Sequence, residues 1–264
     1  MINLHRRKMA VVVVAALTLA VLPVLVMANH SWNGYHWART SNPFNLKVGD
    51  SVTSQWDSYL ATTRNDWSLS SVVDMTIVPG ASRNAKNCKA VSGQVEVCNS
   101  AYGNTGWLGV AQIWVSGSHI TQGTVKLNDT YFNTAQYNTP GWRNLVSCQE
   151  VGHTLGLDHQ DTNFSNTNLG TCMDYTNNPY GPPDNEHPNQ HDYDELAIIY
   201  SHLDSSTTVG QTTSRLPSAM TDVDFDQPSQ WGRAIKGSRE KGFSVHDLDF
   251  GNGNHIITFV FWVK

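Results

Sequence analysis

Gln149-Glu150-Val151-Gly152-His153-Thr154-Leu155-Gly156-Leu157-Asp158-His159 begins inside a helix and leaves it at a glycine. Upstream, Thr139 is a capping residue and Pro140 suits a first turn that needs no backbone donor, while Gly156 supplies the left-handed residue that ends a helix. The spacing therefore predicts a helix over 140–155. Trp142, Leu145, Val146, Gln149, Gly152 and His153 fall on one face of it, so the inward stripe turns polar in its last two turns. Gln149 and His153 are four apart and can reach a common metal ion. Glu150 points about 100° away around the helix, which places it beside such an ion rather than on it. Gly156 lets the chain turn back, returning His159 to the same point. Three donors converge, with one carboxylate alongside.

Outward from this helix the chain alternates strand and helix signals. Residues 44–48 alternate apolar with polar and read as a strand, 52–64 as a helix carrying Trp56, Tyr59 and Leu60, and 72–78 as a β-branched strand stopped by Pro79-Gly80. Three more strands are expected over 94–98, 108–115 and 119–127. Residues 158–188 are rich in Asn, Asp, Gly and Pro and predict an ordered loop region, followed by a helix over 192–202. A Ser/Thr-rich linker is centred on 205–214, and strands over 243–249 and 255–263 flank Gly251-Asn252-Gly253-Asn254 as a β-hairpin. The expected organisation is a signal segment over 1–28, a main domain over 29–203, a linker over 204–217 and a small β-rich segment over 218–264.

The 264 residues can bury a full core, and 9 Trp with 9 Tyr argue for a folded chain. Lys+Arg is 17 against 22 Asp+Glu, a formal charge of −5, which speaks against a protein that neutralises phosphates, so no nucleic-acid partner is expected. Arg6, Arg7 and Lys8 precede an apolar run over 9–27 that ends in small residues, a secretory signal by its pattern. Its removal takes those three basic residues from the 17 and none of the 22 acidic ones, leaving 14 against 22. No membrane association is expected afterwards, and the mature chain is expected outside the cytosol, extracellular or periplasmic, as a monomer. In that setting Cys88, Cys98, Cys148 and Cys172 can form disulfides. Of the three possible pairings, proximity favours Cys88 with Cys98, leaving Cys148 with Cys172 to tie the metal-site helix to the segment before Met173.

Glu150, His153, Gly156 and His159 match the H-E-x-x-H-x-x-G-x-x-H motif, and the chain resembles the metzincin zinc proteases, matrixin- and astacin-like members among them, with Gln149 in place of the first histidine. Cys172-Met173-Asp174-Tyr175 lies where the family places its methionine turn. The resemblance implies an α+β, zincin-like fold: a twisted mixed sheet, an active-site helix, a methionine-turn subdomain and the C-terminal hairpin. It implies Zn2+ held by Gln149, His153 and His159, and a secreted endopeptidase in which Glu150 is general base toward a metal-activated water and Tyr175 assists the transition state. It also implies that 108–115 is an edge strand along which an extended peptide or protein substrate pairs. Gln149 recommends one alternative, a noncatalytic secreted binding protein of the same fold with a weakened or absent metal site.

Overall fold

The computed structural model describes residues 30–82, 86–212, 216–220 and 227–264; the signal segment expected over 1–28 lies outside the described residues. Strands β1 (His36–Trp37), β2 (Phe44–Ser51), β3 (Val73–Pro79), β4 (Gln94–Ser100), β5 (Trp107–Ser116), β6 (His119–Asn128), β7 (Arg233–Ser238), β8 (Phe243–Asp249) and β9 (Asn254–Trp262) join one sheet. Helices α1 (Asp57–Trp67), α2 (Asp129–Phe132), α3 (Pro140–Thr154) and α4 (Gln190–Ile199) complete a mixed α/β architecture. No helix among the described residues is long and apolar enough to cross a membrane.

The sheet order is β3-β2-β4-β6-β5-β9-β8-β7, with β1 pairing β6 off this path. The first half is parallel, since β2 pairs β3 and β4, and β4 pairs β6, all in one direction. From β6 onward every pairing is antiparallel. In β2 the alternation works as the sequence suggests: Phe44, Leu46 and Val48 point inward while Asn45 and Lys47 are exposed. The 158–188 region contains no helix or longer strand, and its backbone is instead held by many side-chain bonds from Asn and Asp.

Element ends differ from the sequence reading for local reasons. Helix α1 starts at Asp57 rather than near 52, because β2 continues to Ser51, paired with Cys98, and a turn follows in which Trp56 N–H donates to the Thr53 carbonyl. It runs on to Trp67, whose indole donates to the Cys148 carbonyl of α3. Helix α4 starts at Gln190, where Asn189 and Asp192 form a reciprocal capping box. Helix α3 lies against β5, β6 and α1 and is buried on nearly every face, so its polar residues sit in the interior.

One expectation is corrected. Strand β5, which contains 108–115, is not an edge. It is paired on one side with β6 and on the other with β9, in the register Gln112 to Thr258, Ala111 to Phe259 and Gly109 to Phe261. The C-terminal strands complete the sheet because β9 is strongly two-faced. Ile257, Phe259 and Phe261 enter the main core, and Val260 and Trp262 join Tyr102, Trp107 and Trp231 on the opposite face.

Candidate metal centre

Thr139 caps α3 by accepting from the Trp142 N–H, and Pro140 follows it. At the far end Gly156 has φ +94°, and a Cβ there would stand 2.0 Å from the Tyr35 carbonyl oxygen, so only glycine fits the turn that brings His159 back. The rings of His153 and His159 end 4.4 Å apart, nearly perpendicular. Gly152 leaves the room in which Met173 and Trp67 meet the helix; a Cβ on it would lie 2.6 Å from the Met173 sulfur and from Trp67. Cys148 and Cys172 are joined by a disulfide, as are Cys88 and Cys98, so α3 is tied to the turn carrying Met173.

The hydrogen bonds fix how each donor is presented. His153 donates its Nδ1–H to the Leu157 carbonyl (2.9 Å); a carbonyl only accepts, so the Nε2 of the neutral ring keeps a lone pair. His159 Nδ1 faces the Asp158 carboxylate (3.1 Å), which assigns the same tautomer. Gln149 donates Nε2–H to the Cys172 carbonyl (2.7 Å) and turns Oε1 the other way. Gln149 Oε1, His159 Nε2 and Glu150 Oε2 are all buried without a hydrogen-bond partner. A buried polar atom left unpaired costs about 1–3 kcal/mol, so each of the three calls for a partner. Two imidazole nitrogens and an amide oxygen, each neutral and each oriented by a second hydrogen bond, suit a zinc ion with an open fourth position.

Burial shapes the charges around these donors. It pushes the Glu150 carboxyl well above the usual range, opposed only by a hydrogen bond from the Ala111 backbone. It raises the Tyr175 phenol strongly, with the charges of Glu150 and Asp158 adding to the effect. Both histidines are shifted down by burial, which keeps their lone pairs free. Asp158 goes the other way: burial pushes it up, yet the His159 hydrogen bond and the Lys236 ammonium hold it far below an ordinary carboxyl.

The sequence allows the C-terminal hairpin to pack on the main domain, and its place directly over this centre is what sequence reasoning missed. Phe259 of β9 stacks on His153 (4.2 Å, 6° between planes), Phe261 lies 4.7 Å from the Tyr175 ring, and Phe243 of β8 lies 5.6 Å from the His159 ring. Lys236 of β7 pairs with Asp158 beside the second histidine. Gln149, Glu150, His153 and Tyr175 are at most 1% exposed and His159 6%. The signal that could have found this was the alternation Phe259-Val260-Phe261-Trp262, which demands a buried face for the phenylalanines.

No family model matches the chain, and no curated protein matches it. A comparison of folds finds high choriolytic enzyme 1, a hatching-enzyme zinc protease of the medaka fish Oryzias latipes, at 10% sequence identity and a TM-score of 0.34, covering 63% of this chain and 94% of that one. At that level the likeness carries no argument, and the centre is read from its own geometry.

Proposed function

We propose that this chain is a secreted zinc-dependent endopeptidase whose centre is covered by its own C-terminal strands. The observation that carries the reading is the set of unpaired buried atoms at the end of α3: Gln149 Oε1, His159 Nε2 and Glu150 Oε2. Gln149, His153 and His159 would hold the zinc, which when bound would polarise a substrate carbonyl and acidify a water from a pKa of about 15.7 toward about 7. Glu150, fixed through one oxygen by the Ala111 backbone, keeps the other free to accept a proton and return it to the leaving nitrogen. Its raised pKa makes it a better base than an exposed carboxylate. Tyr175, packed 4.5 Å from the His159 ring, would donate toward the developing oxyanion. The two disulfides fit an oxidising compartment.

While β9 pairs with β5 no extended substrate can pair there, so cleavage of such a substrate would require the C-terminal strands to open. A second reading is favoured by one observation, the near-complete burial of all five residues: a permanently closed, noncatalytic relative. Zinc content and chelator-sensitive casein cleavage test both, measured on the full chain, on Thr258→Pro, which removes a ladder bond in the middle of β9, and on each combined with Glu150→Ala. Stoichiometric zinc with cleavage that rises in Thr258→Pro and disappears with Glu150→Ala supports the peptidase. Zinc that a His153→Ala/His159→Ala variant loses, without cleavage in every form, supports the closed relative, and absence of any zinc lost by that substitution overturns the metal centre.

A further inference from the structure

A second cluster of metal-ligand side chains joins the start of the sheet to the loop after α4. His36 and His119 are directly paired across β1 and β6, and His202 and Asp204 approach from the loop. His36 Nε2 lies 3.1 Å from His202 Nε2 and 3.5 Å from Asp204 Oδ1, which is itself 3.2 Å from His119 Nε2 and 3.7 Å from His202 Nε2. The ligand atoms of His36, His119 and Asp204 all fall within 4.8 Å of one another. Four ligands at zinc's bond length of about 2.0–2.1 Å in a tetrahedron stand roughly 3.3–3.4 Å apart; the separations among His36, His202 and Asp204 and between Asp204 and His119 run from 3.1 to 3.7 Å, while His202 lies outside the group whose atoms all fall within 4.8 Å.

Without an ion the cluster closes on itself through hydrogen bonds, His202 to His36 and His119 to Asp204. His36 donates Nδ1–H to the Gly34 carbonyl (2.8 Å), so the neutral ring turns a lone pair on Nε2 toward the cluster. Asp204 accepts from the Arg39 backbone N–H and, through Oδ1, from His119. Its Oδ2 is already taken by the Arg39 backbone and guanidinium, leaving Oδ1 for the cluster. His36 Nε2 and Asp204 Oδ1, 3.5 Å apart, are thus the acceptors of those two bonds, and a cation that displaced the protons would be held by the same atoms. Arg39 is fully buried and also donates to the Tyr200 and His202 carbonyls, so the loop is pre-shaped before any ion arrives. The side chains of His119 and His202 are 34% and 51% exposed, which gives an ion a way in.

We propose that His36, His119, His202 and Asp204 form a structural zinc site that pins β1 and β6 to the loop following α4. With four protein ligands it has no open position and no catalytic part. It does not depend on the centre at the end of α3. The test strips the full chain with a chelator, adds back zinc alone, and measures bound zinc, thermal midpoint and, after cobalt substitution, the visible bands of tetrahedral cobalt. The parent is expected to hold one zinc more than His119→Ala, whose affinity for that ion falls at least about 100-fold, and a His153→Ala/His159→Ala variant should keep it. His202→Ala, at the half-exposed position, serves if His119→Ala fails to fold by circular dichroism. Zinc uptake and thermal response equal to the parent's in folded His119→Ala, or in folded His202→Ala where that variant serves, overturn the site. So does a parent that takes up no zinc lost by either substitution.

Discussion

Gln149 holds its position through one hydrogen bond to the Cys172 carbonyl and, under the proposed reading, would offer zinc an amide oxygen, a weaker donor than imidazole. A histidine there could keep that bond through Nδ1–H and present nitrogen instead. Gln149→His is therefore expected to tighten zinc by about tenfold or more, worth about 1.4 kcal/mol, as read by chelator competition; unchanged affinity would mean the amide oxygen is not a ligand. Gly152 carries a different constraint. Because its Cβ would meet both Met173 and Trp67 at 2.6 Å, Gly152→Ala should cost about 1–3 kcal/mol in urea unfolding despite alanine's better helix propensity. A stabilised variant would show that Met173 is not packed under the helix as described.

At the scale of elements, the C-terminal strands and the loops around Met173 are latched by side chains of opposite charge. Lys236 holds β7 to Asp158 next to His159. The lysine is partly exposed, so the pair is worth up to about 1 kcal/mol. Lys236→Ala should then raise chelator-sensitive cleavage by up to about fivefold if opening of the C-terminal strands limits activity. Unchanged or lower cleavage would remove Lys236 from the latch. His187 ties the loop before α4 to α1 through Asp66 (2.7 Å), and that hydrogen bond raises its pKa above 6.5. Raised in the folded state, this group stabilises fully below pH 6.5, and its contribution is lost as pH rises through the folded value. His187→Gln should accordingly lower the thermal midpoint at about pH 5.5 and leave it almost unchanged at about pH 8.5; the opposite ordering would refute the pairing.

For the molecule as a whole, the cross-link between α3 and the Met173 turn spans 24 residues, and closing a loop of that length restricts the unfolded chain by about 3 kcal/mol. A Cys148→Ser/Cys172→Ser variant is expected to lose about that much stability in denaturant unfolding. A much smaller loss would show that packing of Met173 and Trp67 against α3 suffices. The single sheet makes the C-terminal strands part of the main core, because β5 lacks a second neighbour without β9, and the phenylalanines of β8 and β9 would face water.

Helix α3 was legible because its ends are marked chemically by Thr139, Pro140 and Gly156, and because the i, i+4 spacing of Gln149 and His153 is a property of any helix. The strands with alternating or β-branched residues, from β2 to β6 and in the final hairpin, were legible for the same local reason. What spacing cannot encode is which strand lies beside which. Pairing of β9 with β5 joins residues about 150 positions apart, and the gain comes from burying two opposite faces of β9 at once, a quantity defined only when the rest of the sheet exists. The same holds for His36, His119 and Asp204. Each is an isolated polar residue along the chain, and β-sheet register together with the buried Arg39 brings their ligand atoms within 4.8 Å of one another.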